Sequence, residues 1–546
     1  MDYTPEQRRE MERSFSAISP FEFKNKLIEL AEGRKKCARA LLDAGRGNPN
    51  WIASTPREAF FTLGQFAVQE CRRVWTEQDL AGMAQREGIA ERFAQYAKQQ
   101  SDAPGMALLQ NIVNYGIETK NFDPDLWVYE LVDGIIGDNY PVPDRMLIHA
   151  EQVVRDFVVQ ELCGNDTTSG AFNLFAVEGA TAAMCYLFET LASNFLLTRG
   201  DKIAITVPIF PPYVEIPELE RYRFDVVEIH ASGVDEQGNH TWQFPREEME
   251  KLADPSIKAF FLVNPSNPPS VAVQPETVQQ IVEIVKTRNP NLMIITDDVY
   301  STFVDNFRSL MVDLPYNTVG VYSFSKYFGV TGWRLGLIAV HEHNVFDRLI
   351  QQLPDEQKQS LHKRYSSMTQ HPDEVPFLDR IVADSRSVAL NHTAGLSTPQ
   401  QVQMAIFCAF ALLDRENAYK NLTKDICRRR MRLLYEGLGL PQPQLKYHAD
   451  YYTEFDLEVW SNHHYGKDFT DFLQKKYEPV DILFRLAENS SIVLLNGGGF
   501  HGPTWSIRVS LANLNDEQYR QIGEELHKAL DQYAAEWKAS QKTPAR

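Results

Sequence analysis

The stretch YSFSKYFGVTGWRLG, residues 322–336, joins two apolar runs, VGVYSFS (319–325) and LGLIAV (335–340). Hydrophobicity without alternation marks strands buried on both faces, as parallel strands are when crossover helices cover the sheet. Upstream, FNLFAV (172–177), KIAITV (202–207), FDVVEIH (224–230), KAFFLV (258–263) and LMIIT (292–296) repeat the pattern, separated by helical stretches. The alternation predicts an α/β domain with a mostly parallel central sheet. Lys326 then falls at the C-terminal end of a strand, where open α/β sheets place their ligand crevice. A lysine taken at random is a surface amine. This one is flanked by Ser323 and Ser325, with Arg334 eight residues on, and a partly desolvated amine there suits Schiff-base chemistry.

Around this core the chain has 546 residues, 55 Lys+Arg against 73 Asp+Glu (net −18), and 43% hydrophobic residues, enough for two or three domains. The acidic balance and the lack of a dominant basic block argue against a nucleic-acid partner. The N-terminus has no apolar signal core, and the longest apolar run, Met404–Leu413, is about half the ~20 residues a bilayer demands, so a cytoplasmic protein without membrane partners is expected. Single cysteines at 37, 71, 163, 185, 408 and 427 suit reduced thiols, and neither His341-Glu-His343 nor His463-His464 has the companions of a metal site.

Residues 1–113 are expected to form an N-terminal segment that carries a helical insertion and joins a small domain. Residues 114–395 would form the large domain, and 396–546 a smaller α+β domain. In the last of these, helices are predicted around 400–413 and 416–438, then strands in YYTEFDLEVW (451–460), IVLLN and SIRVSLA, and a final helix. The polar helical stretch 75–110 and the charged, weakly patterned stretch 350–390 look like insertions suited to subunit contacts.

Three further strand ends carry chemistry. LMIITDDVY ends in Asp297, Asp298 and Tyr300; because strand side chains alternate, only one aspartate is expected to face the crevice, where a carboxylate could keep a pyridine nitrogen protonated. VNPSNPPS offers Asn264 or Asn267 as an amide donor. AVEGATAAM turns through Gly179 into a helix whose first amides suit a phosphate, and its departure from GxGxxG disfavours a nicotinamide cofactor.

In this order the motifs SxSKxxxxxGWRxG, DxxY and NPxNP, spanning about residues 135–345, together with IRVSLA, resemble the pyridoxal-phosphate enzymes of the aspartate aminotransferase fold. The resemblance implies pyridoxal 5'-phosphate as cofactor, with Lys326 as its Schiff-base lysine and proton shuttle and Asp297 as partner of the pyridine nitrogen. Tyr300 and Asn267 would serve as donors to the ring oxygen. Gly179, Ala180, Ser323 and Arg334 would hold the phosphate, with Tyr140 of GDNYPVP reaching it from a neighbouring subunit, and Phe210 of VPIFPPY would stack on the ring. Arg508 would clamp the substrate α-carboxylate beside Gly47 of GRGNPNW. Two departures stand out: NPSNPPS lacks the usual Thr-Gly after its second NP, and Glu178 replaces a neutral residue before the phosphate glycine.

The extra length, in the N-terminal third and after residue 350, resembles the longer branch of this family, which removes the β-carboxylate of L-aspartate. The activity implied is β-decarboxylation of L-aspartate to L-alanine and CO2, with aspartate aminotransferase side activity on keto acids such as oxaloacetate and pyruvate. Arg46 is the candidate neighbour of the distal carboxylate. The resemblance also implies an active homodimer built into a larger homo-oligomer such as a dodecamer. The alternative enzyme is a plain aminotransferase for aspartate or aromatic amino acids. A cofactor-binding regulator would be expected to carry a DNA-binding module, and a purely structural protein would have no use for the assembled site.

Overall fold

The computed structural model describes all residues except 1–3, 17, 34–40, 168–170, 390–394 and 543–546; the expectation of a reduced thiol at Cys37 lies outside them. Each apolar run becomes a strand of one seven-stranded sheet: β1 (Phe172–Val177), β2 (Lys202–Val207), β3 (Asp225–His230), β4 (Ile257–Val263), β5 (Met293–Asp297), β6 (Thr318–Ser323) and β7 (Gly336–His341). Their order is β1-β7-β6-β5-β4-β2-β3. The five strands β2–β6 pair in parallel, and β7 runs antiparallel to both neighbours. Burial follows position. β5, β6 and β7 are buried throughout, whereas edge strand β3 leaves Asp225 and His230 exposed, charges that discourage further strand pairing.

The reversal at β7 matters for what the sheet can bind. Gly336 opens β7 opposite both Val177 and Ser323, the last residues of β1 and β6. A chain leaving β6 through Lys326 must therefore return to the same sheet edge, and Arg334 arrives beside the turn after β1. The approach is close, for a Cβ on Gly336 would lie 2.5 Å from the Gly179 Cα.

Helices cover both faces. Ala180–Ser193 and Val345–Gln351 pack on one, Pro275–Thr287 on the other. The stretch 350–390, weakly patterned in sequence, contains two helices, Asp355–Tyr365 and Phe377–Ala389. What hid the second is a buried arginine: Arg380, 2% exposed, donates to the Val375 carbonyl (2.8 Å) and to Asn194 Oδ1 (3.1 Å). Helices Ser54–Val74, Ile89–Gln99 and Met106–Asn114 share a hydrophobic cluster with β1, β6 and β7 and with helix Thr398–Leu413.

A separate cluster gathers Phe23 and Leu27 with residues 431–534. It contains a three-stranded antiparallel sheet of β8 (Tyr452–Asp456), β9 (Leu495–Asn496) and β10 (Ser506–Ser510), ordered β8-β10-β9. Leu42–Asp43 pairs in parallel with Ile492–Val493, tying the N-terminal segment to this layer. The expected strand YYTEFDLEVW ends at Asp456, whose carboxylate accepts from the Glu458 and Val459 amides and caps a helix, Leu457–Tyr465. Among the described residues no helix is long and apolar enough to cross a membrane.

Helices Ala418–Leu438 and Asp516–Lys542 cross at glycines: a Cβ on Gly523 would sit 2.1 Å from the Leu434 carbonyl oxygen. Gly523→Ala is expected to push the helices apart and destabilise the fold by about 1–3 kcal/mol, read as a lower urea midpoint. An unchanged midpoint would show that the crossing can relax.

Candidate active site

Strand ends that share one sheet edge bring their side chains into a cavity of about 370 Å³, closed from the other side by β8, β10 and the N-terminal segment. Gly47, Ala180, Phe210, Asn267, Asp297, Tyr300, Ser323, Lys326, Arg334 and Arg508 all line it. Gly179 touches the lining, since a Cβ there would fall 2.5 Å from Arg334 Nη2. Its φ of +94° makes that position doubly suited to glycine.

Lys326 Nζ donates to the Gly47 carbonyl at 3.1 Å. Burial, and then the charges of Arg508 and Arg334, pull its pKa below the usual lysine range, while Tyr452 and Asp297 oppose the shift. Asp297, 4% exposed, accepts from Tyr213 Oη at 2.8 Å and from the Val299 amide at 3.3 Å. Burial still pushes it up to about 6. Asp298 does not line the cavity; its carboxylate accepts from Thr296 Oγ1 at 2.6 Å, so the two acids divide as strand alternation requires. The asparagines divide too: Asn264 Oδ1 accepts from the Val273 amide (3.0 Å) within the turn, and Asn267 faces the cavity.

Arg508, 1% exposed, donates to Asn267 Oδ1 (3.2 Å) and the Gly45 carbonyl (2.6 Å), and its guanidinium lies 4.4 Å from the Tyr452 ring centroid. Its Nε has no hydrogen-bond partner among the described residues. A buried donor of this kind is costly until an acceptor arrives. Opposite, the helix from Ala180 starts without a side-chain cap, so its first amides stay available beside the Ser323 and Ser325 hydroxyls and Arg334. Three cations and one carboxylate among the ionised lining groups favour an anionic ligand. The donor set fits a planar ring with a phosphate ester at the helix start, its nitrogen at Asp297, and a carboxylate at Arg508.

Two expected residues stay apart from the cavity. Tyr140 is 80% exposed. The side chain of Arg46 is largely exposed, and its Nε donates to Asp43 Oδ2 at 2.9 Å. Six lining residues are not among those the sequence singles out: Tyr452, Thr181 and Phe21, together with Val263, Val299 and Thr331. Tyr452, whose hydroxyl meets that of Tyr300 at 2.9 Å, belongs to the strand predicted in 451–460, where it shares a face with Glu454. Thr181 follows directly from the helix start, but Phe21, edge-on to Phe210 at 5.9 Å, arrives on a helix whose docking no local pattern announces. Among the described residues no group of three or more side chains is arranged to hold a metal ion.

Sheet, cradle and lysine together are those of class I and II aminotransferases, and the chain belongs to that family, whose sequence profile matches residues 173–526. It is 46% identical over 529 residues, 96% of this chain and 98% of the relative, to the bifunctional aspartate aminotransferase and L-aspartate beta-decarboxylase of Pseudomonas sp.. Solved structures share the fold at lower identity. Rhizobium meliloti aspartate aminotransferase matches at TM-score 0.56 and 14% identity, covering 94% of this chain and 96% of its own. A tetra mutant of the Thermus thermophilus enzyme matches at 0.54 and 16%, covering 91% and 98%.

An acid whose folded pKa is raised weakens the fold as pH climbs from its unfolded value near 4 towards about 6, because ionising it when buried costs more than in water. Asp297→Asn is therefore expected to raise the melting temperature of the cofactor-free chain more at pH 8 than at pH 4.5. A gain that is larger at the lower pH would contradict the buried-acid account.

Proposed function

We propose that the chain binds pyridoxal 5'-phosphate and converts L-aspartate to L-alanine and CO2, with transamination between L-aspartate and keto acids as a side activity. The observation that carries this reading is the near end-to-end identity with a relative named for both activities. Sequence matches to plain aspartate aminotransferases are shorter, as with the Thermotoga maritima enzyme, 29% identical over 41% of this chain.

When bound, the cofactor supplies an electron sink next to the amino acid's Cα. The chain's residues supply position and protons. Lys326, its pKa lowered by burial, is poised to hold the cofactor's carbonyl carbon and then to act as a neutral base at Cα. Asp297, held by Tyr213, pairs with the ring nitrogen; Asn267 and Tyr300 donate to the ring oxygen, and Phe210 covers a ring face. Gly179, Ala180, Ser323 and Arg334 receive the phosphate. Arg508 receives the substrate α-carboxylate next to Gly47, exchanging the Gly45 carbonyl for a charged acceptor.

In the overall reaction the bond from Cβ to the distal carboxyl carbon breaks, CO2 leaves, and a proton takes its place on Cβ. A tight salt bridge to that carboxylate would stabilise the reactant and slow its loss. Lys326, Arg334 and Arg508 are the cations among the described residues lining the cavity, and each already has a partner in this scheme. Arg46, next to Gly47 and paired with Asp43, is the proposed neighbour of the distal carboxylate. The proposal includes a homodimer, in which the exposed Tyr140 reaches a second copy's phosphate, built into a larger assembly in the cytoplasm.

Purified protein given pyridoxal phosphate and L-aspartate is expected to form alanine and CO2 in equal amounts, far exceeding enzyme. Oxaloacetate alone, formed only with added keto acid, would leave a plain aminotransferase. Lys326→Ala should lower both activities by roughly 10²–10⁴-fold. Arg46→Ala is expected to change the ratio of alanine to oxaloacetate, and a ratio and aspartate affinity that both stay fixed would remove Arg46 from the mechanism.

A further inference from the structure

Arg508, the buried arginine of the catalytic cavity, has a charged neighbour that does not itself line the cavity. In the β8–β10 ladder Glu454 stands directly opposite Arg508, so the two side chains share a face, their Cβ atoms about 4.5–5.5 Å apart. Glu454 is 8% exposed, and its Oε1 accepts from Ser506 Oγ at 2.6 Å. Glycines close around that oxygen: a Cβ on Gly497 would fall 2.3 Å from it, and one on Gly502 3.0 Å. The carboxyl group is thereby held in one position beside Arg508.

Two polar atoms of this pair are left over. The terminal nitrogens of Arg508 donate to Asn267 Oδ1 and the Gly45 carbonyl, while its Nε is buried without a hydrogen-bond partner among the described residues. Glu454 Oε2 is buried and unpartnered in the same sense. One is a donor and the other an acceptor, yet among the described residues the guanidinium is held by neutral oxygens and by the rings of Tyr452 and Phe500, 4.4 and 4.9 Å away. An ionised carboxylate buried here without that contact would be costly, and a protonated one much less so. Burial pushes Glu454 up to about 7; the Ser506 hydrogen bond opposes the shift, Asp456 adds to it, and His240 and Arg508 oppose it. The charged and titratable groups facing Glu454 are Arg508 from β10, Tyr452 and Asp456 from β8, and His240, whose Nε2 lies 2.8 Å from Asp456 Oδ2. Gly497 and Gly502 bring none, and His501 between them turns to Glu228 at 2.6 Å.

We propose that Glu454 is a positioning residue of the carboxylate pocket, acting through Arg508: with its proton it leaves the guanidinium charge to the ligand, and without it Oε2 becomes a competing acceptor for Arg508 Nε and repels the ligand's carboxylate. Binding of an anion at Arg508 then draws a proton onto Glu454, and the proton in turn strengthens anion binding by the same factor. The sign follows from the linkage: affinity for a carboxylate falls as pH rises past about 7 and levels off once the complex has also lost the proton. If the anion raises the group by about one unit, affinity changes by up to about tenfold, with about half a proton taken up at mid-transition. The inference rests on the proposed role of Arg508 as the holder of a substrate carboxylate.

The test is calorimetric titration of the full chain, loaded with pyridoxal phosphate, with succinate, a dicarboxylate that has no amino group, in two buffers of different ionisation heat. On binding at about pH 7.5, Glu454→Gln is expected to take up about half a proton less than the unaltered chain. Between about pH 6.5 and 8.5 its affinity is expected to fall roughly fivefold less. The comparison cancels any proton taken up by the cofactor, which both chains share. A merely structural role for Glu454 would shift affinity alike at every pH, and parallel profiles with equal proton uptake would overturn the proposal. If that variant fails to fold, Ser506→Ala, which removes a hydrogen bond favouring the ionised carboxylate, is expected to move the fall in affinity to higher pH. An unmoved profile would count equally against Glu454. Arg508→Gln is expected to abolish succinate binding; undiminished binding there would sink the reading of Arg508 and this inference with it, whereas lost binding with parallel Glu454→Gln profiles sinks the inference alone.

Discussion

Two backbone carbonyls in the N-terminal segment hold the catalytic cavity together. Gly45 accepts from Arg508 on β10, and Gly47 accepts from Lys326 after β6, so three distant parts of the chain meet through two hydrogen bonds. Tyr451 Oη adds a third bond to the Gly47 carbonyl at 2.8 Å. These carbonyls give the buried cations acceptors that burial would otherwise make costly to lack. A ligand bearing its own anions replaces weak neutral acceptors with charged ones, and the exchange gives binding a direction.

The cavity is also asymmetric in charge, and the asymmetry has a structural origin. Parallel strands deliver Asp297 and Lys326 to one edge, and the single reversed strand, β7, returns Arg334 to that edge next to the helix start at Ala180. Were β7 parallel to β6, its N-terminal end, and Arg334 with it, would lie at the far side of the sheet. On the other flank, β8 turns Tyr452 towards the catalytic cavity, and Glu454, two residues on and paired with Arg508 of β10, stands on the same face.

Much of this was legible in the amino-acid sequence because burial on both faces removes polar residues from parallel strands, and all seven runs could be read directly. The lysine, aspartate and arginine were legible for the complementary reason: charged groups directly after such runs are out of place unless they are used. The reversal of β7 was not legible, since direction leaves no trace in hydrophobicity. Nor was the choice between Asn264 and Asn267 from the residues alone, which depends on one turn hydrogen bond. The misread half of YYTEFDLEVW shows a local signal outweighed by an apolar run, for Asp456 is an ordinary helix cap. Phe21 and Arg380 were hidden because long-range docking decides their burial.

The pairing of Leu42–Asp43 with Ile492–Val493 has a consequence for how the protein is made. A strand near the start of the chain waits for a partner near its end, and at about 5–20 residues per second that wait lasts on the order of half a minute or more. Throughout it, Phe23 and Leu27, wholly buried in the finished protein, have no C-terminal layer to pack against. The emerging chain thus carries apolar residues near its beginning that wait for their partners until synthesis is nearly complete, an aggregation hazard during translation.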